Sequence, residues 1–556
     1  MSMQQNAEAD RLKGEGNALF AKNDFSAAYN KYTQALHHDD KNAILYCNRA
    51  ACSLGLNRYL DASSDAEKTL TAGDLADQAT ELDPAYAKAW SRLAAARTGL
   101  NRPDLAVKAW ERAVAALPIE NMTAAQQKQK AQYKAELATA KAKLEDLKAR
   151  PMEPQGAVSM QNGQLPWNRA AAMLPELERT GVWESSAWLV VYTYQEWQRA
   201  LIAMKEGRPM HTSRGPGYFG RQGVIEGLTN ALVADTRVFH ISDPNFLEMY
   251  NRQMMFEFTQ SKAWTDNGSR EVITQVPKRL RTEGWDSVRP ALSLTVRGWV
   301  MRAFMEDNFK NNSVAALDFY TSAVEVLRWG QEAYKDVPFS DKGQIFQPTF
   351  IRGVKRLRLE AFMKAYKMNP GPNSKFPLSE LLAGADELLA EIGTLPDRPN
   401  DECIGFYLSF FPYAVGSAHA LRGFYYLHTA INLEKTRGLT EEVGELYGKA
   451  ASEYKEAALK YPTDDEHHAG FLQCSFDSHY NGGAPARDLL DTLDRLKDSI
   501  PPMKRIWEFT ANAVAGRDFV LKQALQIRQQ LLDKIANGTI QEQDKVYKPG
   551  KSPVKT

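Results

Sequence analysis

An all-α protein with a helical repeat array at its N-terminal end is predicted by three observations. Small and aromatic residues recur with a 34-residue step from Ala9 onward. A run over 122–148, rich in Ala, Lys, Gln and Glu, carries a single sparse apolar stripe. From about Ala170 to Ala536 the apolar residues follow the helical period, with little of the alternation that marks strands.

The first repeat opens at Ala9 and places Gly16, Ala28, Tyr32 and Ala35 at repeat positions 8, 20, 24 and 27. There, small residues opposite an aromatic let two antiparallel helices pack closely. Asp40 stands where such a repeat prefers Pro. The second copy opens at Ala43, 34 residues on, with Ala50 and Ala62 at positions 8 and 20. The third opens at Ala87 and carries Trp90, Ala94, Ala106, Trp110, Ala113 and Pro118 at positions 4, 8, 20, 24, 27 and 32. Three such units are the minimum that buries a continuous core.

The step from second to third is 44 residues (87 − 43), so ten are inserted. Removing Thr71 to Thr80 joins Glu-Lys-Thr-Leu to Glu-Leu-Asp-Pro, a seamless helix end, which places the insertion there. A helix continued through it would carry the third repeat roughly 15 Å away, at about 1.5 Å per residue. Gly73 and two Asp residues instead predict a looped-out turn.

A polar row accompanies the repeats. Lys13 and Asn17, four apart, share one face of the first helix of repeat one. Asn48 sits at position 6 of repeat two, and Lys88 and Arg92 at positions 2 and 6 of repeat three. Stacked repeats present their first helices side by side, so the five side chains are expected to converge in one groove. Three cations and two amides make a carboxylate receptor. A lone Lys or Arg on a helix is ordinarily a solvated surface residue. Five fixed positions, however, would match by chance with odds on the order of one in 10^5.

The units resemble tetratricopeptide repeats (TPR), and the polar row resembles the dicarboxylate clamp of co-chaperones of the heat-shock organising protein class. The strings Leu12-Lys-Gly-Glu-Gly-Asn17, Tyr46-Cys-Asn-Arg49 and Lys88-Ala-Trp-Ser-Arg92 carry this likeness over roughly the first 118 residues. The resemblance implies a three-repeat TPR superhelix over 1–118 whose Lys13, Asn17, Asn48, Lys88 and Arg92 hold a Glu-Glu-Val-Asp chain end. That tail belongs to the cytosolic 70- and 90-kDa heat-shock chaperones. A ligand this short spends much of its contact energy on ordering, so micromolar affinity, about −8 kcal/mol, is expected.

At 556 residues the chain is too long for one core. A net charge of +1 offers no global attraction for nucleic acid or an anionic membrane, so any anion site must be local. Four scattered cysteines, Cys47, Cys52, Cys403 and Cys474, suit a reducing cytosol better than a disulfide framework. The first ten residues carry neither a basic nor an apolar run, and no stretch approaches 18 uninterrupted apolar residues. A cytoplasmic protein without signal peptide, cofactor or metal is expected.

Beyond the repeats, 119–148 reads as a solvating cap for the last repeat, with Thr123 as N-cap and Leu137, Leu144 and Leu147 as its stripe. Proline and glycine mark 149–169 as a linker. A divergent α-helical region over 170–536 follows, with helices expected at 184–204, 224–233, 245–261, 290–305, 314–334, 352–366, 378–392, 416–435, 441–460, 486–497 and 504–536. Ala450, Tyr454, Ala457 and Pro462 keep the repeat's 20, 24, 27, 32 spacing, and Ala316, Tyr320 and Ala323 its first three. A degenerate repeat array and an unrelated helical domain both remain open. Residues 537–556, with four Lys and two Pro, read as a disordered basic tail.

Candidate chemistry in this half is thin. Arg214 to Gly223 is Gly-rich but lacks the Gly-Lys-Ser/Thr ending of a phosphate cradle, so a mobile loop is expected. His467, His468, Cys474 and His479 fit no closed tetrahedral spacing. Trp183, Trp188 and Trp197, with Tyr192 and Tyr194, read as core, with a client groove as the alternative. Neither the metal-ligand motifs of a phosphatase nor the β-rich domain of a prolyl isomerase is visible. The leading expectation is therefore a non-enzymatic adaptor whose clamp holds a chaperone tail while the helical half takes a client or second partner. The alternatives are a general scaffold for another acidic peptide and an enzyme concealed in the divergent half.

Overall fold

Glycines that admit a ring from a neighbouring helix set the packing of the repeats. In the computed structural model, which describes residues 3–74, 84–149, 162–212, 215–395 and 403–553, repeat one is α1 (Met3–Ala21) and α2 (Phe25–His38). Repeat two is α3 (Ala43–Gly55) and α4 (Tyr59–Asp74), and repeat three is α5 (Pro84–Gly99) and α6 (Pro103–Ala115). A Cβ on Gly16 would stand 2.7 Å from the Tyr32 ring, so the close approach of α1 and α2 depends on its absence. The same device joins successive repeats. A Cβ on Gly55 would meet Phe25 at 2.6 Å, and one on Gly99 would meet Tyr59 at 2.4 Å. Asn23, Asn57 and Asn101 supply the left-handed turn residue between the two helices of each repeat, with φ of 61°, 57° and 55°.

These pairs fix the register across the insertion. Gly99 follows Gly55 by 44 residues (99 − 55), as Tyr59 follows Phe25 by 34 (59 − 25), so repeat three seats on two as two seats on one. Ala66 and Leu70 of α4 share a core with Ala87 and Leu93 of α5. The insertion is nonetheless not all loop. The α4 helix continues through Gly73 to Asp74, because one internal glycine costs a helix only about 1 kcal/mol. The rest of the expected turn, 75–80, lies outside the described residues.

After α6 comes α7 (Ala124–Ala149), which packs on it. Thr123 and Gln126 form a reciprocal capping box, with Gln126 N donating to Thr123 Oγ1 at 3.3 Å and Thr123 N to Gln126 Oε1 at 2.9 Å. Its buried residues are Tyr133 and Ala140, flanked by half-buried Leu137 and Leu144. The expected Leu147 is exposed, because the stripe runs from 133 to 144 rather than from 137 to 147.

Contacts divide the chain into two units, 1–154 with 258–346, and 155–257 with 347–556. This corrects the expected boundary at the linker. In the first unit, α4 packs on the helices Ser269–Glu283 and Ser313–Ala333. Arg58 grips the Glu325 carboxylate with both guanidinium nitrogens at 2.8 and 2.7 Å and also pairs with Asp61. Asp318 accepts the Leu60 amide at 3.0 Å, capping α4 from another helix. Gly268 N donates to Ser64 Oγ at 2.8 Å.

The second unit is also helical. It begins at Pro166–Thr180, earlier than the expected Ala170, because Trp167 is buried at 5% exposure. Three helices of this unit escaped the sequence reading, Pro166–Thr180, Ile404–Phe410 and Glu466–Gly482, the last buried through Leu472 and Phe476. The expected helix 504–536 is broken, with Gly516 at φ 114° before Asp518–Ala536. A Cβ on Gly423 would meet Tyr454 at 2.9 Å, repeating the Gly16–Tyr32 contact on longer helices. In the Gly-rich stretch, where a loop was expected, Gly215–Phe219 is a strand pairing antiparallel with Arg208–Thr212, while Arg214 lies outside the described residues.

The tail is ordered over its described part, which corrects the expected disorder. Lys545–Val546 pairs with Ala484–Pro485, and Asp544 O and Glu542 O accept the Ala486 and Arg487 amides at 3.0 and 2.9 Å. These are first-turn amides of the helix Ala486–Trp507, which the tail thereby satisfies. No helix among the described residues is long and apolar enough to cross a membrane.

Candidate functional site

The first helices of the repeats carry all five predicted residues, and the structure links them in two groups. Asn17, exposed on α1, accepts the Tyr32 hydroxyl at 2.7 Å and the Asn48 Nδ2 amide of α3 at 3.3 Å. With its oxygen accepting both bonds, the Asn17 NH2 is left as a donor for a ligand. Lys13, one turn before Asn17, pairs with Asp10 at 2.5 Å and has no hydrogen bond or ion pair with the other four.

The second group lies on α5. Lys88 and Arg92 line a cavity of about 410 Å³ between α5, α6 and α7, with Trp110, Tyr133, Gln129 and Glu136 among its walls. Arg92 Nε is buried without a hydrogen-bond partner, and neither Lys88 nor Arg92 has an ion pair among the described residues. A buried guanidinium nitrogen left without an acceptor costs free energy until one arrives. Arg92 and Asn48 occupy the same repeat position, and Arg92 acts electrostatically on Cys52, one turn beyond Asn48 on α3. The Cys52 thiol is inert there, since burial pushes it up to about 12 against the pull of Arg92.

Sequence reasoning missed Tyr133. Its hydroxyl donates to Ser91 Oγ at 3.0 Å and accepts Gln129 Nε2 at 2.6 Å, and its ring lies 5.5 Å from that of Trp110. It thereby pins α7 against the helix that carries Lys88 and Arg92. As the single aromatic in a run of Ala, Lys, Gln and Glu, it was the available signal.

The histidine and cysteine group of the second unit takes a packing role instead. His468 Nδ1–H donates to Ala458 O at 2.8 Å and His467 stacks on Phe471. No group of three or more His, Cys, Asp or Glu among the described residues could hold a metal ion. Of the aromatic helix, Trp197 is buried, Trp188 half-buried and Trp183 exposed at 36%.

No family model matches the chain. Over 103 residues it is 44% identical to the Heat shock protein sti1 homolog of Schizosaccharomyces pombe, covering 18% of this chain and 16% of that protein. Over 110 residues it is 38% identical to the Hsp70-Hsp90 organizing protein of Triticum aestivum, covering 20% and 17%. The N-terminal part is a tetratricopeptide-repeat region similar to theirs. The same TPR part is 39% identical over 109 residues to the Heat-shock protein cognate (HSC) co-chaperone sgt12 of Aspergillus fumigatus, covering 20% and 29%. The crystal structure of the Sgt2 TPR domain from that fungus is 32% identical and covers 28% of this chain and 89% of that one, with a TM-score of 0.21. This chain thus spans less than a third of the length of these curated relatives.

Proposed function

We propose that the TPR region binds the free C-terminal carboxylate of an acidic peptide, the Glu-Glu-Val-Asp tail of cytosolic 70- and 90-kDa heat-shock chaperones, and that the protein is a co-chaperone adaptor. The observation that carries this reading is the state of Arg92 and Lys88: two cations without carboxylate partners, one with a buried unsatisfied nitrogen, with Arg92 at the repeat position that Asn48 holds in repeat two. In this reading Lys88 and Arg92 take one carboxylate of the terminal Asp, while Asn17, Asn48 and Lys13 take the other. Lys13 exchanges an exposed pair with Asp10, worth little in water, for the ligand. The relatives named for chaperones support the partner class. The second unit would take a client or a second partner.

The test uses the full chain, because α4 is capped by Asp318 and gripped by Glu325 from outside the repeats. Calorimetry with an octapeptide ending in Glu-Glu-Val-Asp should give micromolar binding, about −8 kcal/mol. The C-terminally amidated twin should bind at least tenfold more weakly. Equal binding of the two would instead identify a general scaffold for acidic peptides.

A further inference from the structure

The second unit holds a cavity of about 310 Å³ that no part of the reading above uses. The helix Pro348–Met368 presents Arg356, Glu360, Lys364 and Lys367 to it, and the facing walls are apolar and aromatic, chiefly Phe424, Tyr454 and Phe471. A volume near 300 Å³ with aromatic walls and a few convergent polar groups is the usual form of a small-molecule site.

Its charge is positive at one end. That end does not include Arg356, which lies eleven residues from Lys367 on the same helix (367 − 356) and spends its guanidinium on Val233 O and Ala234 O at 3.0 Å and Ser409 O at 3.3 Å, beside Asp235. Glu360 is 3.9 Å from its Nε. Lys367 lies 5.1 Å over the Phe424 ring and has no ion-pair partner among the described residues. At the opposite end the charge is closed, with Arg237 held between Asp235 and Asp465 and Tyr413 donating to Asp465 at 2.6 Å. The field shows on a neighbour: His428, whose ring is 4.0 Å from Phe424, is held down to about 4 by burial and by Lys367 and Lys435. Lys367 is exposed at the rim, so its ammonium is free to pair with an anion whose ring enters between the apolar walls.

We propose that this cavity binds a small amphipathic anion, an aromatic body bearing one carboxylate or phosphate, with the anionic group at Lys367 and the ring among Phe424, Tyr454 and Phe471. Lys367 Nζ is the direct donor. The site is independent of the carboxylate groove of the repeats.

The probes are 2-naphthoate, 2-naphthyl phosphate and the neutral 2-naphthamide, titrated calorimetrically into the full chain. At least one anion should bind tenfold or more tightly than the amide, and whichever is tighter identifies the anionic group. Lys367→Gln, on the rim, should weaken that anion at least tenfold, and Ala420→Trp, which fills the cavity, should abolish binding at an unchanged unfolding midpoint. The Lys88→Ala, Arg92→Ala variant should bind the probe as the wild type does, which separates this site from the repeat groove. The proposal is overturned if neither anion binds at millimolar concentration, if the amide binds equally, or if Lys367→Gln binds as the wild type does.

Discussion

Asp318 couples the repeat region to pH. Its carboxyl is 7% exposed, accepts the Leu60 amide at 3.0 Å and is pushed up to about 8, chiefly by burial. A carboxyl whose folded value lies above its ordinary one favours the folded state fully below the ordinary value. That contribution is lost as pH rises through the folded value, here from 3.8 through about 8. Asp318→Asn keeps an oxygen for Leu60 and cannot ionise, so its stability relative to wild type should rise with pH. Between pH 5.5 and 7.5 the change is at most two steps of about 1.4 kcal/mol, and about 2 kcal/mol is expected. Any constant cost of the buried amide cancels, because only the change with pH is read. Hydrogen exchange of the α4 amides, corrected for intrinsic rate, measures it in the full chain. A difference between variant and wild type that stays within about 0.5 kcal/mol across those two pH values would refute the argument.

Other consequences follow from the packing. Deleting 541–556 removes two first-turn partners of the helix Ala486–Trp507 and the Lys548 N to Tyr480 O bond at 2.8 Å. The cost should be about 2–3 kcal/mol by denaturant titration, whereas a disordered tail would leave stability unchanged. Gly99→Ala should cost about 1–3 kcal/mol and weaken peptide binding, because the new methyl meets Tyr59 and shifts α5, while Gly14→Ala, with nothing within 4 Å, should be neutral or stabilising. Arg58→Ala leaves Asp61 and Glu325 facing each other without their cation and should lower the thermal midpoint through a loss of about 3 kcal/mol.

Much of the repeat region was legible because its signals are local. The 34-residue step, the small residues opposite Tyr32 and the polar row all sit at fixed offsets, and each repeat touches chiefly its neighbours. What was not legible depends on distant pairs. Asp318 and Leu60 lie 258 residues apart, and nothing in either neighbourhood announces that one caps the other's helix. The tail's order follows likewise from its carbonyls meeting amides at 486 and 487, whereas its lysines and prolines locally read as disorder. The helix Glu466–Gly482 was missed because His, Asn, Ser and Asp interrupt its stripe, although its buried Phe476 and Leu472 hold it by tertiary packing. At the candidate site the positions were readable, but the grouping was not. Asn17 meets Asn48, Lys88 shares a cavity with Arg92, and Lys13 stands with Asp10.

The central claim rests on Lys88 and Arg92, and calorimetry of the Glu-Glu-Val-Asp octapeptide with the full-length Lys88→Ala, Arg92→Ala variant tests it most directly. Each charge-assisted bond is worth about 1.5–3 kcal/mol, so losing both should weaken binding more than a hundredfold with the thermal midpoint unchanged. Binding within threefold of wild type would contradict the account and would remove the carboxylate groove as the basis of its function.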